Sequence, residues 1–283
     1  MRSPTHCSVT PALIIAAVLA APVLAAAAPD PPIYLSLGTS ASLGVQPDAT
    51  GQNQLTDEGY ADQLHDILTL RQPGLQLAKL GCRGETSPGM ITGAGSKCLY
   101  PAGSQLAQAV ALLAANHGTV SLITIDIGAN DFLKCAPGGV LDPVCVAHAF
   151  AALQTNLVYI LATLKRAAPG VPIVAMNYYN PFIAFWLQGP AGQAIAQLSA
   201  AVTTQLNDRL EAIYGAFAVP VADVERAFHS NDFRLLPIIN LPVGVVVACQ
   251  WTWMCTPPPQ GPNDHANRVG YFVIALQLAS KLQ

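Results

Sequence analysis

Three strand-like stretches in the first half of this chain each stop at a polar turn that carries glycine. Ile33 to Leu37 ends at Gly38-Thr39-Ser40-Ala41-Ser42, Leu75 to Leu80 at Gly81-Cys82-Arg83-Gly84-Glu85-Thr86, and Val120 to Ile127 at Gly128-Ala129-Asn130-Asp131. Short continuous apolar runs read as strands buried on both faces, as in a parallel sheet. Two further runs, Val171 to Met176 and Phe217 to Val221, follow later. Helical patterns fill the intervals: Gly59 to Leu70 with Thr56 as its N-cap, Gly103 to His117, Pro143 to Ala168, Ala191 to Tyr214 and the closing Asn267 to Lys281. Strands alternating with helices predict an α/β fold built on a doubly wound, five-stranded parallel sheet. In such a sheet the C-terminal strand ends share one edge, where ligands bind, so the three turns are expected to meet.

With 283 residues, 52% apolar and only 10% charged, the chain can bury a large core. A formal charge of -3 without basic runs argues against a nucleic-acid partner, because phosphate neutralisation needs clustered Lys and Arg. Residues 1–28 read as a signal peptide: Arg2, an uncharged apolar stretch from Pro11 to Leu24, then small residues at Ala25 to Ala28. The apolar stretch is shorter than the roughly 20 residues of a spanning helix. Residues 29–283 are then expected to be one exported domain without stable membrane insertion. Cys7 falls in the leader, and the six remaining cysteines group along the chain as Cys82–Cys98, Cys135–Cys145 and Cys249–Cys255. Local disulfides are the expected use, because no CxxC pair or His cluster points to a metal.

A serine just past a buried strand is an ordinary cap or turn residue when taken alone. Ser40 gains weight from its company. His265 stands in a polar loop before the last helix, in Gly261-Pro262-Asn263-Asp264-His265-Ala266-Asn267-Arg268-Val269-Gly270, a fitting place for a general base near neutral pH. Together these blocks resemble those of the SGNH (GDSL-like) hydrolases. Gly38-Thr39-Ser40-Ala41-Ser42 matches the family's Gly-Asp-Ser-x-Ser except at Thr39. Gly128-Ala129-Asn130-Asp131 meets Gly-x-Asn-Asp in full, and His265, Asn267 and Gly270 match the last block.

The resemblance implies a three-layer, flavodoxin-like α/β/α fold, Ser40 as nucleophile and His265 as base. It implies an oxyanion hole made by the backbone N–H groups of Ser40 and Gly84 (Gly81 being the weaker match) and the Asn130 side-chain amide, with no metal or cofactor. The chain departs from the family in two places. Thr39 replaces an aspartate, and Pro262 stands where the family has the aspartate that orients the histidine. Three groups remain to orient His265: a backbone carbonyl of Pro262 or a neighbour, Asp264, or Asn263, which can accept a bond but adds no charge. Asp126, inside the third strand, is expected to be buried and hydrogen-bonded as a brace.

Two aromatic and apolar stretches, Tyr178 to Leu187 and Leu235 to Met254, either pack the core or wall an acyl site. The expected activity is hydrolysis of carboxylic esters of lipid or short acyl chains through an acyl-Ser40 intermediate. Deacetylation of polysaccharide, or binding of lipid or glycan by a catalytically inactive relative, are the alternatives.

Overall fold

The computed structural model describes Met1, residues 30–135 and residues 142–282. The leader expected over residues 1–28 lies outside the described residues apart from Met1. Residues from Pro31 onward form one unit built on a five-stranded parallel sheet. Its strands are β1 (Ile33–Leu37), β4 (Gln76–Lys79), β5 (Val120–Ile125), β6 (Ile173–Met176) and β7 (Val221–Ala222), in the order β4-β1-β5-β6-β7. Renumbered among themselves, that order is 2-1-3-4-5, the flavodoxin-like winding expected from the sequence. The last strand forms at Val221–Ala222, at the far end of the apolar run that pointed to Phe217 to Val221. Phe217 to Val219 are held instead by the end of the preceding helix, with Phe217 N–H and Val219 N–H both donating to the Tyr214 carbonyl.

Helices cover both faces. The helix α1 (Tyr60–Thr69) packs against α9 (Arg268–Ala279). A second set joins α3 (Gln105–Ala115), α5 (Pro143–Ala167) and α6 (Pro190–Ala216) side by side. Short helices occupy connections that carried no strong periodicity: α2 (Ser87–Thr92), α4 (Ala129–Leu133), a 3₁₀ helix (Pro181–Gln188), α7 (Val224–Ala227) and α8 (Val243–Trp251). The hairpins β2–β3 (Gln46–Pro47 with Asn53–Gln54) and β8–β9 (Leu235–Leu236 with Leu241–Pro242) lie outside the main sheet. Thr56 does not cap α1. Its hydroxyl donates to the Gly44 carbonyl, and Gly59 takes the N-cap position with its N–H donating to Asp62. Gly59 is there because a Cβ would lie 2.5 Å from the Gly44 nitrogen.

At 25 residues, with mean hydropathy 1.6 over its most apolar window, α5 is long and apolar enough to cross a membrane. In this fold it turns Phe150, Leu153, Leu157, Ile160, Leu161 and Leu164 into the core, at helical spacing. Three disulfides close loops among the described residues, Cys82–Cys98, Cys135–Cys145 and Cys249–Cys255, which is the pairing expected from their grouping.

If α5 is a core helix, Leu157→Ala costs about 2–5 kcal/mol of unfolding free energy, the usual range for emptying a buried leucine site. Val158→Ala, on its exposed side, costs about 0.5 kcal/mol or less. Urea unfolding of both variants checks this, and equal losses would contradict the assigned face.

Candidate active site

The turn that carries Ser40 is set by what happens where β1 and β5 end together. Their register pairs Leu37 with Ile125, which brings Gly38 beside Asp126. Asp126 is fully buried, and its carboxyl accepts the Thr39 N–H at 2.5 Å and the Thr39 hydroxyl at 3.3 Å. A Cβ on Gly38 would fall 1.4 Å from the Asp126 Oδ1, and Gly38 has φ +135°. No other residue fits there without rebuilding the turn. The Gln105 side-chain amide clamps Gly38 from the other side, accepting its N–H at 2.7 Å and donating to its carbonyl at 3.0 Å. Ser42 closes the turn by donating to the Thr39 carbonyl at 2.8 Å. Asp126 is therefore the brace expected of it. It also explains Thr39, since an aspartate at 39 would face a second carboxyl, whereas the threonine hydroxyl donates to it.

Burial pushes the Asp126 carboxyl up to about 8, against the lowering effect of its bonds from Thr39 and Ser42. Burial without a cation partner among the described residues favours the uncharged form of this carboxyl.

The second and third turns are tied to one another. The Asn130 side-chain amide donates to the Glu85 carbonyl at 3.0 Å, leaving its second N–H for another acceptor. The Asp131 carboxyl accepts the Ser87 N–H at 3.0 Å and the Ser87 hydroxyl at 2.7 Å, at the first residue of α2. Gly84 is exposed with φ +71° and is absent from the cleft lining. Gly81, the weaker oxyanion match, has a packing role: a Cβ there would lie 2.0 Å from the Ser42 hydroxyl.

His265 arrives from the other end of the chain. Its loop pairs with the segment enclosed by the Cys249–Cys255 bridge. Trp253 N–H donates to the His265 carbonyl at 3.0 Å, Asn263 N–H to the Trp253 carbonyl at 3.2 Å, and Asn267 N–H to the Trp251 carbonyl at 2.9 Å. Asn267, matched to the family's last block, caps α9 by accepting the Val269 and Gly270 N–H groups. The imidazole side chain is 17% exposed. Burial holds His265 below the usual histidine value, Asp264 pulls it up, and Arg83 pushes it down.

Of the three groups that could meet His265 Nδ1, Asn263 lies nearest. Neither a Pro262 carbonyl nor Asp264 makes the short contact: the Asn263 Oδ1 lies 2.7 Å from Nδ1, and the Asp264 Oδ1 lies at 3.4 Å on a side chain that is 40% exposed. Asn263 reaches because its side chain folds forward over the next two residues, also accepting the His265 N–H at 3.0 Å.

Ser40, Asn130 and His265 line one cleft of 410 Å³. No hydrogen bond joins the Ser40 hydroxyl to His265 in this structure. Its remaining walls are Phe132 and Leu133 of α4, Tyr178 and Tyr179, Phe182 and Phe185 of the 3₁₀ helix, and Ile195, Leu198, Val202 and Leu206 of α6. Of the two aromatic stretches, Tyr178 to Leu187 contributes to the cleft. Leu235 to Met254 instead packs behind it, with Trp251 edge-on to Phe228 and Trp253 donating to Gln46. The contribution of α6 was not legible in sequence, because an apolar helix stripe reads as core wherever it faces. Gln105 and Asn53 were missed as well, each being a lone amide in an unremarkable context.

If the Asp126 carboxyl is protonated when folded, Asp126→Asn is nearly neutral at pH 7. Asp126→Leu, which strands the Thr39 N–H, costs about 1–3 kcal/mol. The folded value lies above the unfolded one, so the stabilising contribution is complete at low pH and is lost as pH rises through about 8. Wild type should thus lose stability relative to Asp126→Asn between about pH 4, where the unfolded carboxyl ionises, and about pH 8, with little further loss above it. Urea melts at several pH values test it, and a large loss for Asp126→Asn at pH 7 would contradict it.

The comparisons with known proteins agree with this geometry. Residues 36–239 match the model of the GDSL-like Lipase/Acylhydrolase family. No curated protein matches the chain. Among solved structures, it is similar to phospholipase A1 from Streptomyces albidoflavus NA297, with TM-score 0.56 and 16% identity, covering 89% of this chain and 99% of that one. It is also similar to an extracellular lipase from Streptomyces rimosus, with TM-score 0.56 and 17% identity over 87% of this chain and 99% of that one. A lipase from a goat rumen metagenome gives TM-score 0.55 and 16% identity, covering 88% and 96%. At these identities the structures speak to the fold, and the family match reaches further: the chain belongs to the GDSL-like lipase/acylhydrolase family and is an ester-hydrolysing enzyme.

Proposed function

We propose that this chain is an exported lipid esterase that cleaves its substrate through an acyl-Ser40 intermediate, with the acyl chain lying between the 3₁₀ helix and α6. One observation carries the reading. Ser40, Asn130 and His265 stand in the same cleft whose other walls are mostly aromatic and aliphatic. An ester has one polar reacting centre and, in a lipid, one long apolar arm, and the cleft offers one surface for each.

In the proposed reaction His265 Nε2 takes the Ser40 proton as the hydroxyl oxygen attacks the ester carbonyl. Charge gathers on the carbonyl oxygen, where the Ser40 N–H and the Asn130 amide donate to it. The Gly84 N–H is the third donor in this reading, supported by the bond that ties the adjoining Glu85 carbonyl to Asn130. His265 then protonates the leaving alcohol, and water attacks the acyl-Ser40 by the same steps. Such donors act because they are already aimed before charge develops, and losing one typically costs ~10²–10³ in turnover. Export is supported by three disulfides, which persist in oxidising compartments.

Each methylene that enters an apolar cleft contributes up to about 0.8 kcal/mol. Activity on p-nitrophenyl esters should therefore climb several-fold per added carbon pair until the cleft is full. Val202→Trp should cut the climb short while leaving acetyl ester hydrolysis intact. Ser40→Ala should abolish turnover and labelling by an organophosphonate. A flat or falling profile from the acetyl ester upward would contradict a lipid substrate, and turnover by Ser40→Ala would contradict the nucleophile.

The sign of the pH dependence follows from His265, which must be neutral to act as base. Burial lowers it, so the acid limb of kcat/KM has its midpoint below the ordinary value of about 6.5. A midpoint above about 7 would contradict the buried, neutral base.

A further inference from the structure

A base that must accept a proton at Nε2 needs its other nitrogen to hold the hydrogen, and this chain has no aspartate in the family's place to enforce that. The Asn263 amide has its orientation decided by the backbone. Its Oδ1 takes the His265 N–H at 3.0 Å, and a peptide N–H is a donor in every state, so the atom facing it is the oxygen. The same oxygen lies 2.7 Å from His265 Nδ1. Nδ1 must then carry the hydrogen when the ring is neutral, which leaves Nε2 as a bare acceptor.

The other end of the amide is also engaged. Asn263 Nδ2 donates to Asn53 Oδ1 at 2.8 Å, across 210 residues of sequence. Asn53 lies in the β2–β3 hairpin, and its own carbonyl accepts Arg83 Nη1 at 2.8 Å. Arg83 precedes Gly84 in the second turn. A line of hydrogen bonds thus runs from that turn through Asn53 and Asn263 to the histidine.

We propose that Asn263 is the positioning residue of His265 and that Asn53 is its latch, so that the base is oriented by a neutral, doubly held amide rather than by a carboxylate. This rests on His265 being the base of the proposed esterase. The charged groups that face the ring are Asp264, 3.4 Å from Nδ1 and partly solvated, and Arg83; the Tyr179 hydroxyl donates to the Asp264 backbone carbonyl rather than to the ring. An amide turns a dipole, not a full charge, toward the imidazolium formed in the transition state. Its main effect is on the tautomer and the ring angle, with less support for the positive charge.

The experiment has two readouts on the full chain. Long-range ¹H–¹⁵N NMR of the resting protein reads the tautomer without reference to activity. Wild-type His265 should show the hydrogen on Nδ1, and Asn263→Leu should shift the population toward Nε2–H. On p-nitrophenyl esters, Asn263→Leu should lower kcat by ~10²–10³ with KM little changed, the scale of a misplaced general base. Asn53→Leu should lower kcat by about 10-fold, and Asn53→Asp, which keeps the acceptor, should recover most of it. Asn263→Asp should move the acid limb upward by about one unit, because it places a charge beside the ring. Asp264→Asn should cost less than about 10-fold, against the ~10⁴ known for spoiling a triad acid.

A wild-type ring protonated on Nε2, unchanged kcat in Asn263→Leu, or a ~10⁴ loss in Asp264→Asn would each overturn the proposal. Absence of ester turnover and of Ser40 labelling in the wild type would instead remove the esterase reading, and the NMR result would still decide the tautomer.

Discussion

The contact between the buried Asp126 carboxyl and the Thr39 N–H is the constraint around which the candidate site is built. It joins the ends of two adjacent parallel strands, and it leaves room for nothing larger than a hydrogen at Gly38. With Gln105 holding both polar groups of Gly38 from the opposite side, the chain leaves β1 in one direction only. Ser40 is therefore presented by a turn held at Gly38, Thr39 and Ser42. Position 39 follows from the same contact, because the carboxyl that the family carries beside its nucleophile would here meet one supplied by β5.

From that centre the other turns are fixed by side chains reaching across strand ends. Asn130 to the Glu85 carbonyl and Asp131 to Ser87 bind the third turn to the second. The His265 loop is held differently, by backbone pairing with Trp251 to Trp253 and by the Tyr179 hydroxyl on the Asp264 carbonyl. The Cys249–Cys255 bridge closes the segment against which this loop is zipped. A disulfide remote from the cleft lining thus has a route to His265, and a loop long enough to wander is kept in register. The enzyme can place its histidine by main-chain pairing and tune it by side chains.

Most of the scaffold was legible because it is written in local patterns. Five strand-like runs alternating with helical patterns point to a parallel sheet covered by helices, whose turns share an edge. The structure has that sheet and that edge, with Ser40, Asn130 and His265 in one cleft. What the patterns missed is also consistent in kind. The 3₁₀ helix and α8 lie in stretches too apolar all round to show a face, so periodicity could not find them. The start of the fifth run is not strand, because the close of α6 claims Phe217 to Val219.

The sequence alone determined the chemistry available: a hydroxyl, an imidazole and an amide on turns in a fixed chain order, six cysteines grouped in pairs, and a core too large for anything but a folded domain. Only the tertiary structure decided who stands beside whom. Asn263 and Asn53 are 210 residues apart and neither is marked by composition or spacing, yet their side chains meet at 2.8 Å beside the histidine. Side chains at strand edges and loop ends interact across the fold rather than along the chain. Hydrogen bonds between them depend on tenths of an ångström that no local pattern encodes.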